Sequence, residues 1–209
     1  EWNKPYTKLK DDSKGFAWTK WFKDGELNIV SNCLDFHQEK GKVSGCRTSV
    51  GKDHMAMIWE GEDGRKRKLT YGELSELSSK IAGAMLKLNV KPGDAIGIYM
   101  PMVPEVVAVL FACLKIGAVA VPVFSGFGPH SLTSRLVDSK AKILFTADGG
   151  KRRGKLIPIK AEADEAVSSG TEVEHVIVYK HCDNEVKMQA GRDHWLHDLL
   201  KDAPVAETI

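Results

Sequence analysis

Short apolar runs alternate with helix-length segments between residues 95 and 179, and this alternation restricts the fold more than any other feature. The runs are rich in Val, Ile, Leu and Ala without polar alternation, which is typical of strands covered on both faces. Strands separated by helices of about ten residues form βαβ units. We predict strands at 95–100, 119–124, 142–146 and 173–179, with helices at 104–115, 129–139 and 159–168. The fold class is therefore α/β with a mainly parallel sheet.

Upstream of this region, the sequence predicts a β-hairpin followed by an amphipathic helix. Residues 55–59 and 65–69 are the expected strands, and the polar, glycine-containing segment 60–64 provides the turn. Thr70 and Glu73 have the spacing of a capping box, which marks the start of a helix. Apolar residues then recur at helical spacing as far as Leu88. A last short helix is expected over residues 193–200.

The first 54 residues show neither helical nor strand periodicity. They are predicted to be irregular and to form an arm that wraps an existing core, with the hairpin and α/β portion filling residues 55–209. The arm carries aromatic residues spaced through polar sequence: Trp2, Tyr6, Phe16, Trp18, Trp21, Phe22 and Phe36.

Charge and cysteine content exclude several classes of protein. The 30 basic and 28 acidic residues leave a net charge of +2, which argues against a dedicated nucleic-acid binder. The four cysteines (Cys33, Cys46, Cys113 and Cys182) form no Cys-x-x-Cys pair, so neither a disulfide framework nor a zinc site is expected, and a reducing compartment such as the cytoplasm is favoured. His194 and His197 are three residues apart on the last predicted helix, but no further ligand completes a metal site.

Residues 106–124 form a nineteen-residue stretch with a single charge, Lys115. Its length suits a transmembrane helix. However, the central Lys115, the following Gly117 and Pro122 fit a buried helix, a C-terminal glycine cap and a strand better. We therefore predict core and no membrane span.

Ligands of open parallel sheets bind beyond the carboxyl ends of the strands, where three loops qualify here. Residues 101–104 lack donor side chains and are interpreted as structural. Residues 125–128 contain Gly126 and Gly128, which permit either close approach of a ligand or simply a tight turn. A separate basic run, residues 65–68, is interpreted as a solvated hairpin edge rather than a phosphate site.

The third loop, residues 148–155, is the most informative. It places Lys151, Arg152, Arg153 and Lys155 within five residues, between glycines, after a buried strand. Flexible backbone with clustered cations suits a phosphate-bearing ligand, although a solvated basic loop remains the alternative. No P-loop, nucleophile elbow or other catalytic set occurs, so no catalytic residue is assigned.

Several ordered motifs across the whole chain resemble the amino-terminal part of AMP-forming acetyl-CoA synthetases, members of the acyl-adenylate-forming acyl-CoA synthetase family. The motifs are WNKPY at 2–6, WFKDGELN at 21–28, NCLDFH at 32–37, LTYGEL at 69–74, YMPMVPE at 99–105, VFSGF at 123–127, and TADGG at 146–150 leading into RRGK at 152–155.

This resemblance implies a two-step ligase in which a small carboxylate attacks ATP to give an acyl-adenylate and pyrophosphate. The coenzyme A thiol then displaces AMP. Coenzyme A, ATP and Mg²⁺ are the implied cofactors of the full-length enzyme. By motif, Arg152 and Lys155, with Gly154 between them, contact the phosphorylated nucleotide end of coenzyme A. Gly126 lets that nucleotide approach the backbone.

Departures from the family pattern concern the acid and the length of the chain. Ala120-Val121 stands where acetate-using members usually have His-Ser, which leaves room for another short acid. The family's ATP phosphate loop, acyl pocket and catalytic lysine have no counterpart in this sequence, so residues 55–209 are expected to be an incomplete domain of an inactive fragment. Such a fragment is expected to expose apolar sheet surface and to self-associate. The alternative is a stand-alone, non-catalytic module that binds coenzyme A or a nucleotide.

Overall fold

Two small antiparallel hairpins and a short helix occupy the start of the computed structural model, which describes residues 2–45 and 47–209. These elements are β1 (Lys8–Asp11), β2 (Lys20–Lys23), α1 (Ile29–Cys33), β3 (Val43–Ser44) and β4 (Arg47–Thr48). The expectation of irregular structure was wrong for them. Strands β1 and β2 are largely exposed, so they carry none of the apolar alternation by which a strand is recognised. Cys46 lies outside the described residues.

The predicted hairpin and capped helix are present as β5 (Met55–Glu60), β6 (Lys66–Thr70) and α2 (Tyr71–Lys87). The capping box is confirmed: the Glu73 backbone N–H donates to the Thr70 hydroxyl at 3.2 Å, and the Thr70 N–H donates to the Glu73 carboxylate at 2.7 Å. Two of the four orphan N–H groups at the helix start are thereby satisfied.

A parallel sheet of five strands in the order β13-β12-β9-β7-β8 confirms the α/β fold class. The chain follows β7 (Ala95–Ile98), α3 (Pro104–Lys115), β8 (Val119–Pro122), α4 (Pro129–Ser139), β9 (Ile143–Ala147), β10 (Gly150–Arg152), β11 (Lys155–Ile157), α5 (Ile159–Val167), β12 (His175–Tyr179), β13 (Asp193–Trp195) and α6 (Leu196–Lys201).

Helices cover both faces of this sheet, which explains the unbroken apolar runs. All five residues of β9 are buried. Ile143 and Phe145 belong to the apolar cluster that includes α2 and α3, whereas Leu144 belongs to the cluster with α4 and α5. Alternate side chains of one strand thus supply two cores.

The predicted helix over residues 193–200 was wrong at its start. Asp193–Trp195 forms β13, paired in parallel with β12, and helix α6 begins only at Leu196. A three-residue strand is too short to show a period in the sequence. His194 and His197 consequently lie on different elements, and the Nε2 of His194 is instead 3.1 Å from the Nδ1 of His175. The described part of the chain contains no group of three residues able to hold a metal.

Most of the apolar stretch 106–124 lies in the core, as predicted, within α3 and β8, although Leu110, Val119 and Phe124 are exposed. Lys115 is only 4% exposed, and its ammonium group donates to the Thr208 hydroxyl at 2.6 Å and to the Asp35 carboxylate at 3.3 Å. A buried charge requires such partners. None of the helices formed by residues 2–45 and 47–209 has the length and apolar character needed to cross a membrane.

Residues of the N-terminal segment reach the core at the end of α3. The Asn28 side-chain amide donates to the Leu114 carbonyl at 2.8 Å and to the Ile209 carbonyl at 3.2 Å. Val30 and Leu34 are buried in the cluster around α2 and α3. By contrast, Phe16, which lies between strands β1 and β2, is 87% exposed. The division at residue 54 stays a prediction.

Replacement of Gly83 by Ala tests the packing of α2. Alanine normally stabilises a helix interior by about 1 kcal/mol relative to glycine. Here an added methyl group would collide with the backbone carbonyl of Pro204, so we expect Gly83→Ala to lower the free energy of unfolding by about 1–3 kcal/mol in urea denaturation. Glu76→Ala on the exposed face of α2 should change it by less than about 0.5 kcal/mol. A stabilised Gly83→Ala variant would contradict the close approach.

Candidate functional site

All three loops identified in the sequence converge on one cleft of about 250 Å³. They follow β7, β8 and β9, and the carboxyl ends of parallel strands share one edge of the sheet. From these loops the cleft is lined by Pro101, Met102, Ser125, Gly126, Gly150, Lys151 and Arg152. Pro101 and Met102 thus form part of the cleft wall, and the interpretation of residues 101–104 as structural stays a prediction.

The Gly126 loop lies directly against Arg152. A Cβ added to Gly126 would lie 2.8 Å from Nη1 of Arg152 and would also clash with the Phe124 ring. The guanidinium carbon of Arg152 is 5.6 Å from the centroid of that ring. The Tyr99 hydroxyl lies 2.6 Å from the Phe127 carbonyl oxygen and holds the loop from below. Glycine at position 126 thus keeps the backbone beside the guanidinium group uncovered.

The basic segment forms a hairpin where the sequence predicted a loop between glycines. Strands β10 and β11 pair with Arg152 opposite Lys155, and Arg153 and Gly154 make the turn with positive φ values of 52° and 71°. At Gly154 an added Cβ would meet no other atom, but the positive φ is a backbone conformation that favours glycine. The turn therefore places the two predicted cations of the site side by side.

Two further glycines of this segment lie in closely packed surroundings. Gly149 and Gly150 are buried. A Cβ on Gly149 would clash with the Asn184 side chain, and one on Gly150 would lie 2.7 Å from Cδ1 of Ile159. The base of the hairpin is consequently fixed to the core, because neighbouring side chains occupy the space beside both glycines.

The cations of the hairpin are unevenly compensated. Lys151 pairs with Asp63 at 3.2 Å, whereas Arg152, Arg153 and Lys155 have no carboxylate partner within the described ranges. Like charges directly opposite each other on paired strands are unfavourable. Arg152 and Lys155 form such a pair, which an anionic group bound between them would neutralise.

Gly126 and Arg152 thus meet at the cleft, while Gly154 and Lys155 lie at the hairpin turn outside its lining. The structure adds a wall that sequence reasoning missed, from the β5–β6 hairpin and His181: Trp59, Glu60, Gly61, Glu62, Asp63 and His181. In the sequence, residues 60–64 carry only a turn signal. Nothing local indicates which loop a turn will face.

The added wall is attached to the sheet by two side chains. Nε1 of Trp59 donates to the Met102 carbonyl at 2.6 Å. The Arg67 guanidinium pairs with the buried Glu105 carboxylate at 2.7 Å and donates to the Tyr179 hydroxyl at 3.2 Å. Burial and the Glu105 charge raise the pKa of Tyr179 to about 12, so this hydroxyl remains neutral. The prediction of a solvated basic run was therefore wrong for Arg67, although its three basic neighbours are exposed.

Asp148 organises the floor behind the cleft. Its buried carboxylate accepts backbone N–H groups of His181 at 2.8 Å, Cys182 at 2.9 Å and Asn184 at 3.2 Å. These bonds fix the segment after β12 against the loop after β9. Burial, followed by the charge of Arg65, lowers the pKa of His181, so this cleft-lining imidazole is neutral at pH 7.

A glycine loop and an only partly compensated basic hairpin at the carboxyl edge of a parallel sheet define an α/β domain suited to a phosphate-bearing ligand. The family model described as AMP-binding enzyme matches residues 47–207. The chain belongs to this family of AMP-binding enzymes. A second model, described as acetyl-coenzyme A synthetase N-terminus, matches residues 1–33.

Individual relatives agree with this assignment. The chain is 41% identical to an acetyl-coenzyme A synthetase of Escherichia coli strain K12 over 97% of its own length. It is 44% identical to acetyl-coenzyme A synthetases of Chlorobaculum tepidum, over 96% of its length, and of Shewanella frigidimarina, over 97%. The chain spans about 30% of the length of these relatives (30%, 27% and 30%).

Replacement of Asp148 by Asn tests the floor of the site. In the native protein, backbone N–H groups of the segment after β12 face the Asp148 carboxylate; an amide would present them with one oxygen and an N–H₂ donor. We therefore expect the substitution to lower the free energy of unfolding by about 2–4 kcal/mol. Amide hydrogen exchange at residues 181–184 should become faster. Asp183→Asn is the matched control, because Asp183 is 79% exposed and pairs only with Lys180 among the described ion pairs. Equal effects of the two substitutions would refute the role of Asp148.

Proposed function

We propose that this chain supplies the coenzyme A-contacting part of an AMP-forming acyl-CoA synthetase. The observation that carries the proposal is the meeting of Gly126 and Arg152 at one cleft, with Lys155 opposite Arg152 on the basic hairpin. In the complete enzyme, a carboxylate, ATP and coenzyme A give acyl-CoA, AMP and pyrophosphate through an acyl-adenylate. The acid is acetate or another short acid. The cytoplasm is the proposed compartment.

The proposed roles follow from the chemistry of the side chains. A guanidinium group binds a phosphate through paired N–H donors, and an ammonium group adds a point charge. Arg152 and Lys155 are therefore assigned to the terminal phosphate on the ribose of coenzyme A. Gly126 and Gly154 leave backbone accessible beside these two cations, which lets the nucleotide approach closely.

ATP and Mg²⁺ are not assigned to residues of this chain. Its sequence lacks a glycine-rich phosphate loop, and the part that the structure describes has no cluster of three metal-ligating side chains. Phosphoryl and adenylyl transfer depend on a cationic clamp around the nucleotide phosphates. No step through ATP is therefore derived from these residues.

The 209-residue chain alone is expected to catalyse no adenylation, because that clamp is missing from its sequence. The measurement is acetate-dependent exchange of labelled pyrophosphate into ATP, with propionate as a second acid. Exchange should stay at the background of a reaction without protein. Acid-dependent exchange above that background would overturn this part of the proposal.

Titration calorimetry with coenzyme A tests the binding role directly. We expect binding by the chain, about tenfold or greater weakening in Arg152→Ala, and a similar loss when dephospho-coenzyme A replaces coenzyme A. The two losses should not add, because both remove the same contact.

Arg153→Asn is the matched control for this titration. It removes the same charge from the neighbouring position, which does not line the cleft, and Asn tolerates the positive φ of 52° found there. Equal affinity for coenzyme A and dephospho-coenzyme A in the unmodified chain would contradict the assignment of Arg152.

A further inference from the structure

Two hairpin segments of opposite charge face each other at the mouth of the cleft. One is the acidic turn, residues 60–65, which contains Glu60, Glu62 and Asp63. The other is the basic hairpin, residues 150–157. Asp63 Oδ2 accepts from the Lys151 ammonium at 3.2 Å, and Glu62 Oε2 lies 3.5 Å from the backbone nitrogen of Gly154. The acidic turn thus contacts both the first strand and the turn of the basic hairpin.

The Asp63 carboxylate is itself rigidly held. Its Oδ1 accepts the Arg65 backbone N–H at 3.1 Å, and its Oδ2 accepts from Nε of Arg65 at 2.8 Å. The backbone bond from Arg65, with the neighbouring charges of Lys151 and Arg65, lowers the pKa of Asp63 to about 2. The group is therefore an anion at neutral pH.

The outer part of the basic hairpin has few other attachments. Residues 151–156 are exposed, and the contacts of Gly150 and Ile157 fix only the base. Lys151 and Arg152 are adjacent on β10, so their side chains point to opposite sides of the strand. Lys151 reaches Asp63, and Arg152 reaches Phe124 and Gly126. Because the two residues are adjacent on one strand, a displacement of Lys151 also moves Arg152.

We propose that Asp63 is a positioning residue: by holding Lys151, it sets the basic hairpin so that Arg152 faces Gly126 across the cleft. The inference rests on the proposed coenzyme A site and adds to it a residue that does not touch the phosphate. Simple electrostatics predicts the reverse effect, since removal of a carboxylate near an anion site strengthens anion binding. Whether the affinity for coenzyme A falls or rises when the Asp63 charge is removed therefore separates a positioning role from simple electrostatic repulsion.

Asp63→Asn is the informative substitution, because the amide oxygen can still cap the Arg65 N–H while the charge is lost. We expect the dissociation constant for coenzyme A, measured by calorimetry, to rise about two- to fivefold, the range for one exposed ion pair. Glu60→Gln is the matched control: it removes the same charge from the same turn, but Glu60 pairs with Lys66 and not with the basic hairpin. It should lower the dissociation constant. Tighter binding by Asp63→Asn, or equal weakening by both, would overturn the proposal.

A double substitution separates positioning from a general role in folding the turn. In a Lys151→Gln background the ion pair is already absent, so adding Asp63→Asn should no longer weaken binding and should instead act like Glu60→Gln. If Asp63→Asn weakens binding equally in both backgrounds, Asp63 acts through the turn alone and the inference fails.

Hydrogen exchange gives a readout that needs no ligand. Amides of residues 150–157 should exchange faster in Asp63→Asn than in Glu60→Gln, because the outer hairpin has lost its attachment. If the unmodified chain binds no coenzyme A, the proposed function fails. Hydrogen exchange then still tests whether Asp63 holds the basic hairpin in place. Unchanged exchange in Asp63→Asn overturns it.

Discussion

Strand β9 lies at the centre of the parallel sheet and fixes the placement of its neighbours. It is hydrogen-bonded to β7 on one side and β12 on the other, and all of its residues are buried. A buried strand must satisfy its backbone groups through both neighbours, so its placement fixes theirs. Asp148, the first residue after β9, continues this role by accepting backbone N–H groups from the segment after β12. Because the strands are parallel, their following loops gather at one edge, and the cleft lies there.

Buried charges connect parts of the chain that are distant in sequence. Lys160 is 1% exposed and contacts the Asp164 carboxylate at 2.7 Å and the Asp193 carboxylate at 2.8 Å. This cluster joins α5 to the edge strand β13. Lys115 likewise joins α3 to Asp35 near the start of the chain and Thr208 near its end. A lone buried charge is costly, so each lysine constrains the segments that carry its partners.

The cleft has one basic and one acidic wall. Gly126 and the basic hairpin belong to the sheet, whereas the acidic turn belongs to the β5–β6 hairpin that Trp59 and Arg67 attach to it. The arrangement of the cations beside Gly126 is the observation on which the proposed coenzyme A site rests. The acidic wall is needed for a different reason: it places the hairpin, and with it the guanidinium group of Arg152.

The amino-acid sequence alone predicts the α/β class, the order of the main strands and helices, the capping box at Thr70 and the candidate loops, because each depends on local periodicity or on motif residues close in the chain. It missed the exposed hairpin β1–β2 and the short strand β13, which have no apolar period. It also placed Arg67 in solvent. Three contacts emerge only in the folded chain: Glu105 pairs with Arg67, Asp63 faces Lys151, and Gly126 lies beside Arg152. The pairs are 38, 88 and 26 residues apart (from 67 to 105, 63 to 151 and 126 to 152), and no local pattern encodes which distant side chains meet.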